Sequence, residues 1–151
     1  MLASYLDASV QNILAIIGFG KDIRGAAATL PCPLSEVDTP QLGNTNMAEV
    51  WTSPAPVNYG EQHGIHYSAG DEVFFGSTHI AESGQTPLDV ISCKAYKNIF
   101  DLLQAQGYPY LIRVWNYLPN INQITDGLER YRLFCLGRHQ AISERNSFIE
   151  H

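Results

Sequence analysis

The sequence predicts an α/β (α+β) fold in which a mixed sheet is backed by two helices. Three observations predict it: apolar, strand-like runs fill the first half of the chain, a long helical repeat follows them, and a further strand and helix complete the series. The 151 residues, 45% of them hydrophobic, suffice for one core and are too few for two ordinary domains. We therefore predict a single domain over residues 1–151.

The first strands are predicted near the N-terminus. The short apolar run Ile13–Phe19 is typical of a buried strand. Residues 25–43 contain three prolines and three consecutive alanines, a composition that predicts an irregular loop or a crossing segment. Met47–Thr52 predicts another strand, which ends where prolines follow because proline cannot donate to a central ladder.

A β-hairpin is predicted next. The runs His63–Ser68 and Val73–Ile80 alternate in polarity, and Ala69, Gly70 and Asp71 lie between them. Two alternating runs on either side of a glycine-containing turn are typical of a hairpin. Its expected packed face consists of Ile65, Tyr67, Val73 and Phe75.

The most regular pattern in the chain predicts a helix that stops at Gly107. Thr86 can cap this helix, and Pro87 suits its first position. The apolar residues at helical spacing are Leu88, Ile91, Ala95, Ile99 and Leu102.

A strand and a second helix are predicted to complete the fold. Tyr110–Tyr117 alternates and predicts a strand that Pro119 ends. Asp126 is placed to cap the helix that follows. The apolar stripe of that helix is expected to contain Leu128, Tyr131, Cys135 and Ile142, widened by Phe134. Only residues 143–151 remain, too few for a full return strand, so we expect an open sheet edge that needs covering.

Charge and cysteine content exclude several classes of protein. Nine Lys and Arg against fifteen Asp and Glu give a net charge of −6, the wrong sign for general nucleic-acid binding. Three widely spaced cysteines without a C-x-x-C pair indicate neither a disulfide scaffold nor a zinc module, and favour a cytoplasmic location. The longest apolar stretch is far short of the roughly 20 residues that cross a bilayer, so no export signal or membrane anchor is expected.

The arginines are concentrated in one segment. Residues 110–145 contain five arginines and three acidic residues, whereas residues 1–109 contain four cations and eleven acids. Planar guanidinium groups bind carboxylates bidentately, which suits an anionic ligand. The alternative is that these arginines are solvated helix positions that make i,i+4 pairs, and for any single arginine we favour that interpretation.

Two motifs in this segment carry a family resemblance. Arg113–Asn122 contains Trp-Asn-Tyr-x-Pro-x-Ile-Asn, and Leu128–Ala141 contains Glu-Arg-Tyr-x-x-Phe-Cys-x-Gly-Arg. Together with Ile17–Gly20, Ala48–Trp51 and Phe74–Gly76, they resemble the N-terminal half of the chorismatases, hydrolases of chorismate that are also described as pteridine-dependent dioxygenase-like proteins.

This resemblance implies a fold of two consecutive halves related to the RidA/YjgF superfamily, of which the chain matches the first. It implies release of pyruvate from chorismate, giving a hydroxybenzoate or a dihydroxycyclohexadiene carboxylate, with no metal and no organic cofactor. In the family the chain continues past the position of Ala141 into a second half that carries the main catalytic carboxylate. Nothing in residues 1–151 matches that half, so no catalytic residue is assigned.

Chorismate carries two carboxylates, and the arginine segment offers candidates to bind them. Arg130 and Arg138 lie eight residues apart, close to one helical face, and Arg113 would share a strand face with Tyr117. With Tyr131 these form the candidate substrate-binding set. The alternatives are that Arg130 or Arg138 forms a structural ion pair and that Tyr131 belongs to the core.

Other chemistry-bearing residues are interpreted structurally. Hydrolysis of an enol ether needs a general acid, and Glu129 is the carboxylate inside the motif, but a neighbouring arginine favours an ion pair. His63 and His66 would point to opposite strand faces, which argues against a shared metal. Cys135 is interpreted as a buried thiol beside a close-packing glycine, Gly137, rather than as a nucleophile.

Three functional hypotheses follow. The first is a chorismatase-like N-terminal domain that keeps the fold and anion binding but is incomplete for catalysis alone. The second is a stand-alone RidA/YjgF-like homo-oligomer, a small-molecule-binding protein or deaminase, whose subunits cover the open sheet edge. The third is a structural remnant or partner subunit. The charged fraction of 16%, below the roughly 25% of typical domains, favours a surface buried against a second half or another copy.

Overall fold

The computed structural model describes residues 12–20, 30–38, 43, 47–125 and 127–145. The chain divides into two compact units, residues 1–79 and 80–151, which we call the sheet unit and the helical unit. Their mixed α/β content confirms the predicted fold class. The packing of helices on the sheet and the single domain stay predictions. None of the described helices is long and apolar enough to cross a membrane.

The sheet unit contains six strands in two three-stranded sheets. The strands are β1 (Ile13–Phe19), β2 (Leu34–Val37), β3 (Met47–Thr52), β4 (Asn58–Gln62), β5 (Ile65–Ala69) and β6 (Phe74–Ser77). The strand orders are β2-β1-β3 and β4-β5-β6.

The first sheet is mixed, as predicted. Strand β1 pairs in parallel with β2, with Ile16 opposite Leu34, and antiparallel with β3, with Ile16 opposite Val50. Residues 13–18 are all buried, so both faces of the strand are covered, which fits its continuous apolar run. The predicted strands at Ile13–Phe19 and Met47–Thr52 are both confirmed.

Strand β2 corrects the prediction of an irregular segment over residues 25–43. It is a four-residue edge strand inside that stretch, and the carbonyl of Pro33 just before it accepts the amide of Ile16 at 3.0 Å. Pairing with β1 supplies the stability that so short a segment lacks alone. Residues 25–29 and 39–42 of the stretch lie outside the described residues.

The second sheet confirms the predicted hairpin and adds a strand. Strands β5 and β6 pair antiparallel, with His66 opposite Ser77, although both are shorter than predicted. Of the expected packed face, Ile65 is buried and the other three residues are half-buried. Strand β4, which was not predicted, joins β5 through His63 and Gly64, whose φ values of 55° and 72° are typical of a two-residue hairpin turn.

Two hydrogen bonds tie the two sheets together. The register of β1 against β3 shifts between Ile13 and Ala15, which leaves Leu14 without a partner on β3. The buried Ser68 hydroxyl on β5 donates to the Leu14 carbonyl at 2.5 Å, and the Tyr59 hydroxyl on β4 donates to the Ile13 carbonyl at 2.9 Å. The second sheet therefore supplies the hydrogen-bond donors for the two carbonyls at the irregular position of β1.

The helical unit is built on two helices, α1 (Leu88–Gln106) and α2 (Arg130–Ser143). A ribbon of β7 (Ile124–Thr125) and β8 (Leu128–Glu129) precedes α2. The shared core of the two helices contains Leu88, Cys93, Tyr96, Phe100, Leu133, Phe134 and Ala141.

The predicted start and stop signals of α1 can be compared with its observed ends. Gly107 ends the helix as predicted, with a left-handed φ of 79° and its amide donating back to the Gln104 carbonyl at 3.2 Å. The start differs, because Pro87 holds the cap position and no side chain caps the helix. The prediction that Thr86 caps α1 is therefore wrong.

The predicted strand at residues 110–117 is absent, although the structure describes the whole stretch. Leu111, Val114 and Leu118 pack against the helical core, while Ile112 and Tyr117 point outward and are 89% and 58% exposed. The inward positions are three and four residues apart rather than two. The stretch therefore follows the helix surface and does not alternate as a strand does.

The buried face of α2 is displaced from the predicted stripe. Leu133, Phe134, Gly137 and Ala141 are buried, while Leu128, Cys135 and Ile142 lie at the margin of the core. Tyr131 is half exposed. Asp126, the predicted cap, lies outside the described residues, and Glu129 holds the cap position without a side-chain bond.

Candidate functional site

The arginine segment lies wholly within the helical unit, and its arginines divide into two groups. The first group is paired with carboxylates. The Arg130 guanidinium donates to Glu82 Oε1 at 2.5 Å through Nη2 and to the Pro119 carbonyl at 3.3 Å through Nε. Its side chain is only 12% exposed. The structural ion pair left open for Arg130 is therefore present, with a carboxylate 48 residues away in the sequence.

The other paired arginines lie on α2 or just after its end. Arg145 donates to the Asp101 carboxylate on α1. Arg132 is largely exposed, and its Nε lies 3.8 Å from Glu129 Oε2. Glu129 therefore takes part in an ion pair, as expected, although its partner is not the adjacent arginine. An exposed carboxylate in an ion pair fits a structural role.

The second group comprises Arg113 and Arg138, which contact aromatic rings. The Arg113 Cζ lies 5.6 Å from the centroid of the Trp115 ring. The Arg138 Cζ lies 5.3 Å from the Phe134 ring centroid, and its Nη2 lies 3.7 Å from Cys135 Sγ. Within the described residues, neither guanidinium is in an ion pair with a carboxylate. Arg138 donates one hydrogen bond from Nη2 to Cys135 Sγ, and its charge, like that of Arg113, is not neutralised by a described carboxylate. Such a guanidinium suits a ligand carboxylate.

The two candidate tyrosines are accessible. Tyr117 is 58% exposed and Tyr131 is 50% exposed. The alternative that Tyr131 is a core residue is therefore wrong, because the buried face of α2 is centred on Phe134 and Gly137.

The five candidate residues share the helical unit without forming one contact cluster. Arg130 and Tyr131 begin α2, and Arg138 lies eight residues later, about 12 Å along the helix axis. Arg130 also reaches Pro119, two residues after Tyr117. Arg113 and Tyr117 do not share a strand face, because the stretch that carries them is not a strand.

Two contacts near the candidate residues could not have been found from the sequence. Glu82 fixes the Arg130 guanidinium, and the Tyr96 hydroxyl on α1 donates to Asn116 Oδ1 at 3.2 Å. The partners are 48 and 20 residues apart, and no sequence pattern links either pair.

Two details of the sequence interpretation of the cysteines and histidines are wrong: Cys135 is not buried, and His63 lies in the turn between β4 and β5 rather than on a strand face opposite His66. Cys32 and Cys93 are buried, and burial raises the pKa of the Cys32 thiol, the opposite of what activates a nucleophile. Cys135 is half-buried. Among the described residues, no group of three His, Cys, Asp or Glu side chains could hold a metal ion. Exposed His66 lies 3.6 Å from a Glu61 oxygen on the neighbouring strand.

Comparison with known proteins assigns residues 49–151 to a family model described as chorismatase FkbO/Hyg5-like, N-terminal. A chorismatase of Streptomyces hygroscopicus is 35% identical over 135 residues, which cover 89% of this chain and 39% of that protein. A 3-hydroxybenzoate synthase of the same species is 30% identical, with the same two coverages.

A solved structure shows the same fold. The crystal structure of a chorismatase at 1.08 Å resolution matches with a TM-score of 0.77 and 33% sequence identity, over 93% of this chain and 42% of that one. The chain therefore spans about two fifths of the length of these relatives.

Proposed function

Since this chain belongs to the FkbO/Hyg5-like chorismatase family, in the region of its N-terminal domain, we propose that it is a chorismatase-like domain whose helical unit binds chorismate. The observation that supports the proposal most strongly is the division of the arginines. Arg113 and Arg138 contact aromatic rings, and within the described residues neither is in an ion pair with a carboxylate.

The second group of arginines and the two exposed tyrosines have the chemistry to bind a small ring dicarboxylate. Two guanidinium groups can each take one carboxylate bidentately, and Tyr117 and Tyr131 offer exposed hydroxyls and ring faces. The aromatic contacts of Arg113 and Arg138 hold the planar groups in place without neutralising their charge. Binding thus draws on residues that lie in the part of the chain matched by the family model.

We propose further that the chain does not release pyruvate unaided. Protonation of the enol ether needs a carboxylic acid held in its neutral form, which requires burial. Glu129, the carboxylate inside the motif, is exposed and lies beside Arg132. The named chorismatase relatives extend well beyond the matched region, and we place the missing acid in that remainder.

Calorimetric titration with chorismate tests the binding. Arg113→Met and Arg138→Met should each weaken binding by about tenfold, the loss of a charge-assisted hydrogen bond. Arg132→Met is the matched control, since it removes an exposed arginine that is paired with Glu129, and should leave the affinity within about twofold. The proposal fails if chorismate produces no heat and no shift in Tm, or if both test variants bind as the wild type does.

An assay for pyruvate tests the second part. We expect no release above the uncatalysed rate from the isolated chain. Robust turnover would show that residues 1–151 already contain the acid.

A self-associating RidA/YjgF-like protein is the second candidate, and exposed apolar side chains of the helical unit favour it. Tyr110, Ile112 and Ile124 are 68%, 89% and 67% exposed, which is costly unless a partner covers them. Light scattering after size exclusion decides between a monomer and an oligomer. A stable monomer at micromolar concentration would rule out this candidate.

A further inference from the structure

Tyr117 stands between two fixed points of the stretch that carries it. On one side, the side chain of Asn116 accepts a hydrogen bond from the Tyr96 hydroxyl at 3.2 Å. On the other side, the carbonyl of Pro119 accepts a hydrogen bond from Arg130 Nε at 3.3 Å. The stretch that carries the exposed Tyr117 is thus anchored one residue before it and two residues after it.

The first fixed point is part of the core. Tyr96 is only 4% exposed, and its ring meets the rings of Phe100 and Phe134 edge-on, with centroids 6.0 and 6.2 Å away. These contacts fix the position of the ring, so its hydroxyl has a set direction. Asn116 is therefore tied to the packed interior of the helix pair.

The second fixed point is a planar guanidinium with two partners. Arg130 donates through Nη2 to Glu82 and through Nε to Pro119, so one rigid group joins the segment before α1 to the stretch before α2. The backbone at the base of this side chain is also fixed. The amides of Arg130 and Tyr131 donate to the carbonyls of Gln123 and Ile121 at 2.9 and 3.0 Å.

Between these points the backbone is not part of any β-ladder. Residues 108–118 contain no strand, and Leu111, Val114 and Leu118 supply the apolar contacts with the core. The position of Tyr117 therefore depends on side-chain anchors rather than on sheet pairing.

We propose that Tyr96 and the Glu82–Arg130 pair are positioning residues for the ligand. They hold Asn116 and Pro119 in place and thereby set the position of the Tyr117 ring, without contacting the ligand themselves. The proposal rests on the proposed chorismate binding. It also moves Arg130 out of the binding set, since its charge is paired with Glu82, its Nε donates to Pro119 and its side chain is only 12% exposed.

Tyr96 and the Glu82–Arg130 pair are the two anchors of the stretch that carries Tyr117. Amide hydrogen exchange tests them without any ligand. Tyr96→Phe removes the hydroxyl and keeps the ring, while Glu82→Gln removes the charge and keeps the shape. In both variants, amides of residues 110–119 should exchange about threefold to tenfold faster, the effect of losing one hydrogen bond. Asp101→Asn is the matched control, because it breaks another carboxylate–arginine pair of the same unit and should leave this stretch unchanged. Unchanged exchange in both test variants would refute the anchors.

Titration with chorismate tests the positioning role. Tyr96→Phe and Glu82→Gln should each weaken binding by about threefold to tenfold. In a Tyr117→Ala background the same two changes should have no further effect, because the residue that they position is gone. Effects that persist in this background would show that the anchors act by another route.

The other possible results distinguish a failure of the proposed function from a failure of the positioning role. Tighter binding by Glu82→Gln would show that Arg130 itself binds the ligand and that Glu82 competes for it, which overturns the proposal. A wild-type chain that does not bind chorismate refutes the proposed function and the positioning role with it, whereas the anchors are still judged by exchange. Faster exchange with unchanged affinity refutes the positioning role alone.

Discussion

The contact between the two helices at Gly137 should be intolerant of a single added carbon. A Cβ built on Gly137 would lie 2.9 Å from the Asp89 Cα and 2.7 Å from its carbonyl carbon, and would overlap the carbonyl oxygen. All three atoms belong to the backbone of α1, so no side-chain rotation relieves the clash. Gly137→Ala therefore has to push the helices apart.

The expected magnitude follows from two opposing effects. Overpacking typically costs about 1–3 kcal/mol, and a clash of backbone with backbone belongs at or above the upper end of that range. Alanine is better than glycine inside a helix by about 1 kcal/mol. The net loss of unfolding free energy should therefore be about 2 kcal/mol or more. For a chain of this size, that corresponds to a fall in Tm of about 4–8 °C or more.

Urea denaturation followed by far-UV circular dichroism, together with thermal melts, measures this loss. His139→Ala is the control on the same helix, since His139 is exposed: it removes a long, exposed hydrogen bond with the Ser143 hydroxyl and brings the favourable helix propensity of alanine. The variant at 139 should be as stable as the wild type or slightly more stable. If Gly137→Ala were equally neutral, the close approach of the helices at Asp89 would be wrong.

Two further predictions concern the sheet unit and the far end of the helix pair. Ser68→Ala should cost about 1–3 kcal/mol, because it leaves the buried carbonyl of Leu14 without its donor, whereas Ser83→Ala at an exposed position should have little effect; urea denaturation compares them. The hydrogen bond between Lys97 and Glu144, 2.6 Å apart, lowers the pKa of Glu144 and raises the pKa of Lys97. Its contribution to Tm should therefore be lost as the pH falls through the pKa of Glu144 or rises through that of Lys97. High salt and Glu144→Gln should both flatten this dependence, and an unchanged profile in the variant would exclude the pair as its source.

Elements stabilised by their own local pattern could be predicted from the sequence. Strand β1 is a continuous apolar run whose residues 13–18 are all buried, and α1 repeats its apolar positions until Gly107. In each case the residues that define the element are the residues that stabilise it. The family resemblance could also be recognised from the sequence, because each of its two motifs is a continuous segment.

Elements stabilised from a distance could not be predicted. The four residues of β2 form a strand only because β1 lies beside them. The sequence of residues 110–117 has the alternating pattern of a strand. Its inward apolar side chains nevertheless pack on helices that come before and after it in the chain. Contacts of this kind decide the conformation without leaving a periodic pattern in the segment itself.

The arginines show that the roles of single residues, too, cannot be predicted from sequence when distant contacts decide them. Arg130 and Arg138 are indistinguishable by type, charge and helical spacing, and the sequence places both among candidates for binding an anion. The structure separates them because Glu82 reaches Arg130, whereas Arg138 lies against Phe134. A guanidinium that has already exchanged water for a carboxylate gains little from a second anion, while one resting on a ring keeps its charge available. Whether an arginine is already paired therefore depends on where the nearest acid lies, and for Arg130 that acid is 48 residues away in the sequence.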